Sequence, residues 1–197
     1  MLKINRFFQK IPNWVLYLIA PIPAIVLFYQ AINGQLGLDP LNKLEDQYGQ
    51  WALQLIIVGL CISPLRKFGI NLIKQRRPIG LIAFFYVCAH LLVWLWFDQG
   101  WDIARIWIEI VKRPFITVGM VGFLIMIPLA ITSNNRSIRK VGPKKWQKIH
   151  KLTYPLALLG GAHFMLVVKG WPLEPMIYLA IIIFLLAMRP LWLNRVK

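Results

Sequence analysis

IGLIAFFYVCAHLLVWLWF, residues 79–97, contains no Lys, Arg, Asp or Glu, and it carries a single imidazole, His90. A helix over this run rises about 28 Å at 1.5 Å per residue. That matches the ~30 Å hydrocarbon core of a bilayer. Arg76 and Arg77 precede it, Asp98 follows it, and Pro78 is a residue well suited to the first helical position. The run reads as a membrane-spanning helix. An ionisable ring at that depth is costly and calls for a partner or a purpose.

Five further apolar runs lie outward from this one, at 14–32, 49–65, 114–132, 149–168 and 173–190. Glu174 and Pro175 place the start of the last near Pro175. The expected fold is all-α, an integral membrane bundle of six transmembrane helices. No linker or polar domain interrupts the chain, so residues 1–197 are expected to form a single transmembrane domain. Composition agrees, with 58% hydrophobic and 15% charged residues, against about 45–50% and about 25% in soluble domains. The first run holds Pro21 and Pro23, and no convincing small-residue cleavage site follows it. It reads as a retained helix and not as a signal peptide. Cys61 and Cys88 lie in apolar stretches without metal-ligand spacing and read as small buried hydrophobes.

The net charge of +16 does not point to nucleic acid, because the basic residues flank spans and form no single surface. Eighteen of the 23 Lys and Arg lie in the N-terminal tail, 66–77, 133–151 and the stretch from Arg189 onward. Lys43, Arg105, Lys112, Arg113 and Lys169 lie on the other side. By the positive-inside rule both termini are cytoplasmic. All seven acids (Asp39, Glu45, Asp46, Asp98, Asp102, Glu109 and Glu174) fall on the outer side. Trp51, Trp94, Trp96, Trp101, Trp107 and Trp171 cluster near outer span ends, as an interfacial belt does. Within 101–113, Asp102, Arg105, Glu109 and Lys112 recur at helical spacing opposite Ile103, Trp107, Ile110 and Val111. This predicts a short amphipathic helix. It serves either as a connector with a membrane-facing stripe or as a docking platform for an external partner.

The three histidines are His90, His150 and His163. Counted from Ile79 and Ile149 on helices that both rise from the cytoplasm, His90 and His163 sit ~17 Å and ~21 Å deep. If spans three and five are neighbours, the two rings can face each other across a haem, since imidazole is the commonest metal ligand. His150 lies thirteen residues before His163, which on an ideal helix is ~20 Å lower and turned by ~220°. Alignment with His163 requires a kink, with Pro155 at hand to supply it, or a different ring direction. Arg77 stands thirteen residues before His90. Arg is a poor iron ligand but a good partner for a propionate or phosphate, so Arg77, with Arg76 as second choice, is a candidate cofactor-side cation. The competing readings are histidines that simply hydrogen-bond a neighbouring helix, and a proton relay. The relay is weakened because no acid lies within a span core.

Two motifs carry a resemblance over nearly the whole chain. One is Arg76-Arg77-Pro78-Ile79-Gly80-Leu81 with Phe85-Tyr86 and His90. The other is Ile131-Thr132-Ser133 with Arg139, Gly142, Trp146, His150, Tyr154 and His163. In these the chain resembles the haem-binding membrane subunits of the bacterial periplasmic protein-methionine-sulfoxide reductase system, the MsrQ (YedZ) family of the ferric-reductase-like transmembrane group. The resemblance implies a six-helix inner-membrane protein that carries heme b and to which FMN is also assigned. Electrons come from the quinone pool or a cytoplasmic flavin reductase. They leave for a periplasmic molybdopterin methionine-sulfoxide reductase that repairs oxidised envelope proteins. By position, His90, His150 and His163 are then the haem histidines. Wider relatives carry two histidines on each of two helices. This chain has one on span three, which is compatible with one haem or two.

Bis-imidazole ligation closes both axial positions and favours electron transfer over oxygen chemistry. No catalytic site of the chain's own is evident and no nucleotide motif is seen; for a flavin, the basic loops 66–78 and 134–148 are the phosphate contacts that charge alone suggests. The pair Gly160-Gly161, beside His163, permits close approach of a helix or a flat macrocycle. Two further functions compete: a stand-alone metalloreductase of the ferric-reductase kind, and a non-redox small transporter or assembly factor with structural histidines.

Overall fold

The computed structural model describes residues 5, 9–168, 170 and 172–190. Lys3, Arg6, Lys169, Trp171, Arg195 and Lys197, which enter the charge and aromatic patterns above, lie outside the described residues. Among those described, every regular element is helical and no strand occurs. The chain forms two compact units, residues 1–103 and 104–197.

In the first unit, α1 (Asn13–Ile19) and α2 (Pro21–Ile32) make up the first apolar run. The break at Ala20 has a direct cause. Pro21 and Pro23 have no N–H to continue the ladder, and Pro21 opens the next helix instead. α3 (Pro40–Lys67) begins nine residues before the run that predicted it. Asp39 caps it by accepting the Asn42 N–H at 3.3 Å, and Pro40 occupies its first position. It ends where Gly69 takes φ 82°. The Ile70 N–H then reaches the Leu65 carbonyl at 3.0 Å and the Gly69 N–H reaches Arg66 at 3.1 Å, the paired closure of a Schellman motif. A 3₁₀ turn, Ile73–Gln75, leads into α4 (Arg76–Val93), which passes into a π-helical turn at Trp94–Asp98. Pro78 is thus third in α4 and not first.

α3 packs along α4, and α2 packs on α3. Their shared core includes Ala24, Leu44, Tyr48, Ala52, Ile82 and Tyr86. Two buried tyrosines tie the layers. Tyr48 donates to the Ala24 carbonyl at 2.7 Å and Tyr86 to the Ala20 carbonyl at 2.6 Å.

The second unit contains most of α5 (Ile103–Lys112), α6 (Pro114–Ile131), α7 (Asn135–Val141), α8 (Pro143–His150), α9 (Thr153–Val167) and α10 (Leu173–Ala187). α5 is the amphipathic helix expected in 101–113. None of its residues is buried, and its Ile103, Trp107 and Val111 are exposed. Pro114 starts α6, Asn134 caps α7 by accepting the Ser137 N–H at 2.8 Å, and Gly142 at φ 85° turns α7 into α8. α9 packs between α6 and α10.

One expectation is corrected here. The fifth apolar run does not start a helix at Ile149 that carries both His150 and His163. His150 closes α8, and α9 begins at Thr153. Between them the bonds tighten, Leu152 N–H to Ile149 and Tyr154 N–H to Lys151, and the Thr153 hydroxyl takes the His150 carbonyl at 2.9 Å. Pro155, in the first turn of α9, cannot donate backward into α8.

Among the described residues, four stretches are long and apolar enough to cross a membrane: Asn13–Ile32, Pro40–Lys67, Ile73–Asp98 and Pro114–Ile131. α9 and α10 have 15 residues each, about 22 Å, shorter than the bilayer core. Leu18, Ile25, Leu124, Ile183 and Phe184 are exposed on these helices, a surface soluble monomers rarely present. The chain is a membrane protein.

Candidate functional site

His90 lies in the last turn of α4, beside the N-terminal part of α3. Its Nδ1 is 2.9 Å from the Glu45 carbonyl oxygen. A carbonyl can only accept, so Nδ1 is the donor. A neutral imidazole that donates through Nδ1 carries its lone pair on Nε2, the arrangement of a ligand histidine steered by a second partner. The ring rests on Gly49, where an added Cβ would lie 3.2 Å from Nδ1 and 3.4 Å from Cε1.

His163 lies four residues before the end of α9, beside the start of α6. Its Nδ1 donates to the Phe115 carbonyl at 2.7 Å. Here the ring rests on Gly119, where an added Cβ would come within 2.9 Å of both Nδ1 and Cε1. The two units therefore build the same device. In each, the C-terminal end of one helix presents a histidine to the N-terminal end of an antiparallel neighbour. A backbone carbonyl takes Nδ1–H, and the glycine four residues later makes room for the ring.

His150 is held differently. Thr132 Oγ1 donates to the Pro128 carbonyl at 2.6 Å and lies 3.0 Å from His150 Nε2. The ring stacks on Trp146 at 4.0 Å between centroids. Trp146 in turn donates from Nε1 to the Thr132 carbonyl at 2.9 Å. Thr132, Trp146 and His150, three residues of the second sequence motif, thus close on one another. Tyr154, a fourth, lies under the Arg189 guanidinium at 4.1 Å.

Residues 47–161 match the family model of the ferric reductase like transmembrane component. The protein-methionine-sulfoxide reductase heme-binding subunit MsrQ of Brucella ovis is 46% identical over 178 residues, 89% of this chain and 80% of that relative. Its namesakes from Brucella canis and Brucella suis stand at the same identity and coverage. The chain belongs to the MsrQ family. As an MsrQ-family member, it carries Gly49, His90, Gly119 and His150 inside the matched segment, and His163 two residues beyond it.

Arg76 and Arg77 start α4, while His90 lies in its last turn. Fourteen residues separate Arg76 from His90, about 21 Å of helix, so neither arginine shares the His90 cradle. Gly161 is resolved in favour of a helix. An added Cβ there would meet Leu179 Cδ1 at 2.9 Å and Ile182 Cδ1 at 3.1 Å, both on α10. The groups that the sequence pattern did not mark are Gly49, Gly119 and the carbonyls of Glu45 and Phe115. The available signal was a glycine in the early turns of each helix expected beside a histidine helix.

Proposed function

We propose that the chain is a transmembrane electron-transfer subunit in which His90 and His163 supply axial Nε2 ligands to b-type haem. The observation that carries this reading is the repeated Nδ1–H to carbonyl bond, which places the lone pair of each buried-side imidazole on Nε2 and fixes its ring. An imidazole Nε2 held in this way is a donor that would suit a porphyrin iron. The relatives' name, heme-binding subunit, supports the same reading. Bound haem supplies a one-electron couple between ferric and ferrous iron. The protein's own part would be to hold each ring rigid and to surround it with apolar helix faces.

In this reading the chain crosses a bacterial inner membrane six times with both termini cytoplasmic, as its charge distribution favours. It acts as one membrane domain, α5 lying in the outer interface with Trp107 toward lipid. Electrons enter from the quinone pool or a cytoplasmic flavin reductase, FMN joining the path through the basic loops. They leave to a periplasmic molybdopterin methionine-sulfoxide reductase. Arg77 and Arg76 pair with an anionic cofactor group at the cytoplasmic end. His150 is the third candidate ligand.

The test is a redox difference spectrum of the detergent-purified protein, with haem quantified per chain after expression with ample haem. A Soret band with reduced-state peaks of b-type haem is expected. A colourless protein overturns the proposal and favours a structural role for the histidines. The His150→Ala variant, measured beside it, counts sites. Unchanged haem per chain with a lowered melting temperature marks His150 as part of the Thr132–Trp146 nest. Loss of a second haem marks it as a ligand. The ferric-reductase-like family match favours one alternative, direct reduction of ferric chelates, which a chelate assay on the reduced protein separates.

A further inference from the structure

We infer that Gly49 and Gly119 are positioning residues for His90 and His163: each uncovers the backbone carbonyl that orients the imidazole. The inference rests on the haem-ligand reading above and concerns residues that reading does not use.

The argument starts from helix geometry. Every Cα–Cβ bond on a helix tilts toward the N-terminus, so the side chain of residue i+4 leans over the carbonyl of residue i. That carbonyl already accepts the i+4 N–H. A flat ring that reaches it as a second donor lies over the i+4 residue, where a Cβ would press on it. Glu45 and Gly49 stand in this relation, and so do Phe115 and Gly119. In both places the second donor is a histidine Nδ1, at 2.9 Å and 2.7 Å. In both, the ring atoms that an added Cβ would strike are Nδ1 and Cε1. Neither glycine has a positive φ, so backbone conformation does not demand it. What demands it is the ring.

The two cradles differ in tolerance. At Gly49 the separations of 3.2 and 3.4 Å ask the ring to yield by a few tenths of an ångström. At Gly119 both separations are 2.9 Å, closer than a real Cβ approaches a ring. Alanine there pushes His163 off the Phe115 carbonyl. The ring loses its fixed plane and the hydrogen bond that raises the basicity of Nε2.

The experiment compares four glycine-to-alanine variants of the full chain, each purified with haem bound. Haem retention against a competing apo-acceptor, the electron paramagnetic resonance of the ferric state and the thermal midpoint are recorded. Gly119→Ala is expected to lower haem retention roughly tenfold, as second-shell changes do, and to move the low-spin signal. Gly49→Ala moves the signal in the same sense by less. Gly161→Ala strikes only Leu179 and Ile182, so it lowers the thermal midpoint and leaves the low-spin signal in place. Gly59, with nothing within 4 Å of an added Cβ, changes neither. If Gly119→Ala and Gly49→Ala both keep the wild-type signal and retention, the inference is wrong while the ligand reading stands. If the wild-type protein holds no haem, both fail. Should Gly119→Ala not fold, the milder Gly49→Ala decides.

Discussion

His163→Ala and His90→Ala each abolish most of the Soret absorbance of the purified protein while leaving the helix content intact. The expected loss is large. Changing a partner of a metal ligand already costs roughly 10–100-fold in affinity, and removing the ligand itself costs at least the upper end of that range. Absorbance at the Soret maximum, normalised to protein, and far-ultraviolet circular dichroism give the two readings. Helicity is expected to persist because neither ring belongs to the packed core. The core of the first unit is built from residues such as Leu44, Ala52 and Ile82, that of the second from residues such as Ala157 and Ile182, and each histidine sits one turn from the end of its helix. The two variants should behave alike, because their settings are alike: Nδ1–H on a carbonyl, ring on a glycine. A protein that keeps full absorbance without His163 has its iron elsewhere.

The second large effect is on stability. Gly161→Val is expected to lower the unfolding free energy by about 1–3 kcal/mol, the usual cost of overpacking. α9 meets α10 at this glycine, and Ile182 opposite it is fully buried. An added Cβ already comes within 2.9 Å of Leu179 Cδ1, and valine brings two more methyl carbons. Small residues at helix contacts in membranes exist to allow this approach. Thermal melting in detergent measures the cost. Adding Leu179→Ala to the valine variant should recover part of it, because the two side chains compete for one space. That makes the pair non-additive, as contacting sites are. Equal melting of Gly161→Val and the wild type contradicts the packing described.

Much of the architecture could be read from the chain, for identifiable reasons. The runs 14–32, 79–97 and 114–132 match the helical stretches Asn13–Ile32, Ile73–Asp98 and Pro114–Ile131 to within a few residues, because apolar length is a local signal. The early turns of α3 were hidden. Asn42, Lys43, Glu45, Asp46 and Gln47 break the apolar pattern there, yet the Asp39 cap and Pro40 start a helix through them. The break after His150 was hidden as well. The run 149–168 reads as one helix by hydropathy, and only the proline in the first turn of α9 marks a new start.

The histidines announced themselves by their cost in an apolar run. Their partners did not, since a backbone carbonyl is the same at every residue. Whether Gly49 opens the Glu45 carbonyl to His90 depends on which helix lies alongside. The contact between His150 and Thr132, eighteen residues apart, is likewise one that no local pattern encodes.

The central claim is ligation of haem iron by the Nε2 atoms of His90 and His163. Electron paramagnetic resonance of the oxidised, detergent-purified protein tests it most directly. The account predicts a low-spin ferric signal of imidazole-ligated haem that is converted to high-spin or lost in His90→Ala and in His163→Ala. A wild-type signal that is high-spin only, or a low-spin signal untouched by either substitution, contradicts it.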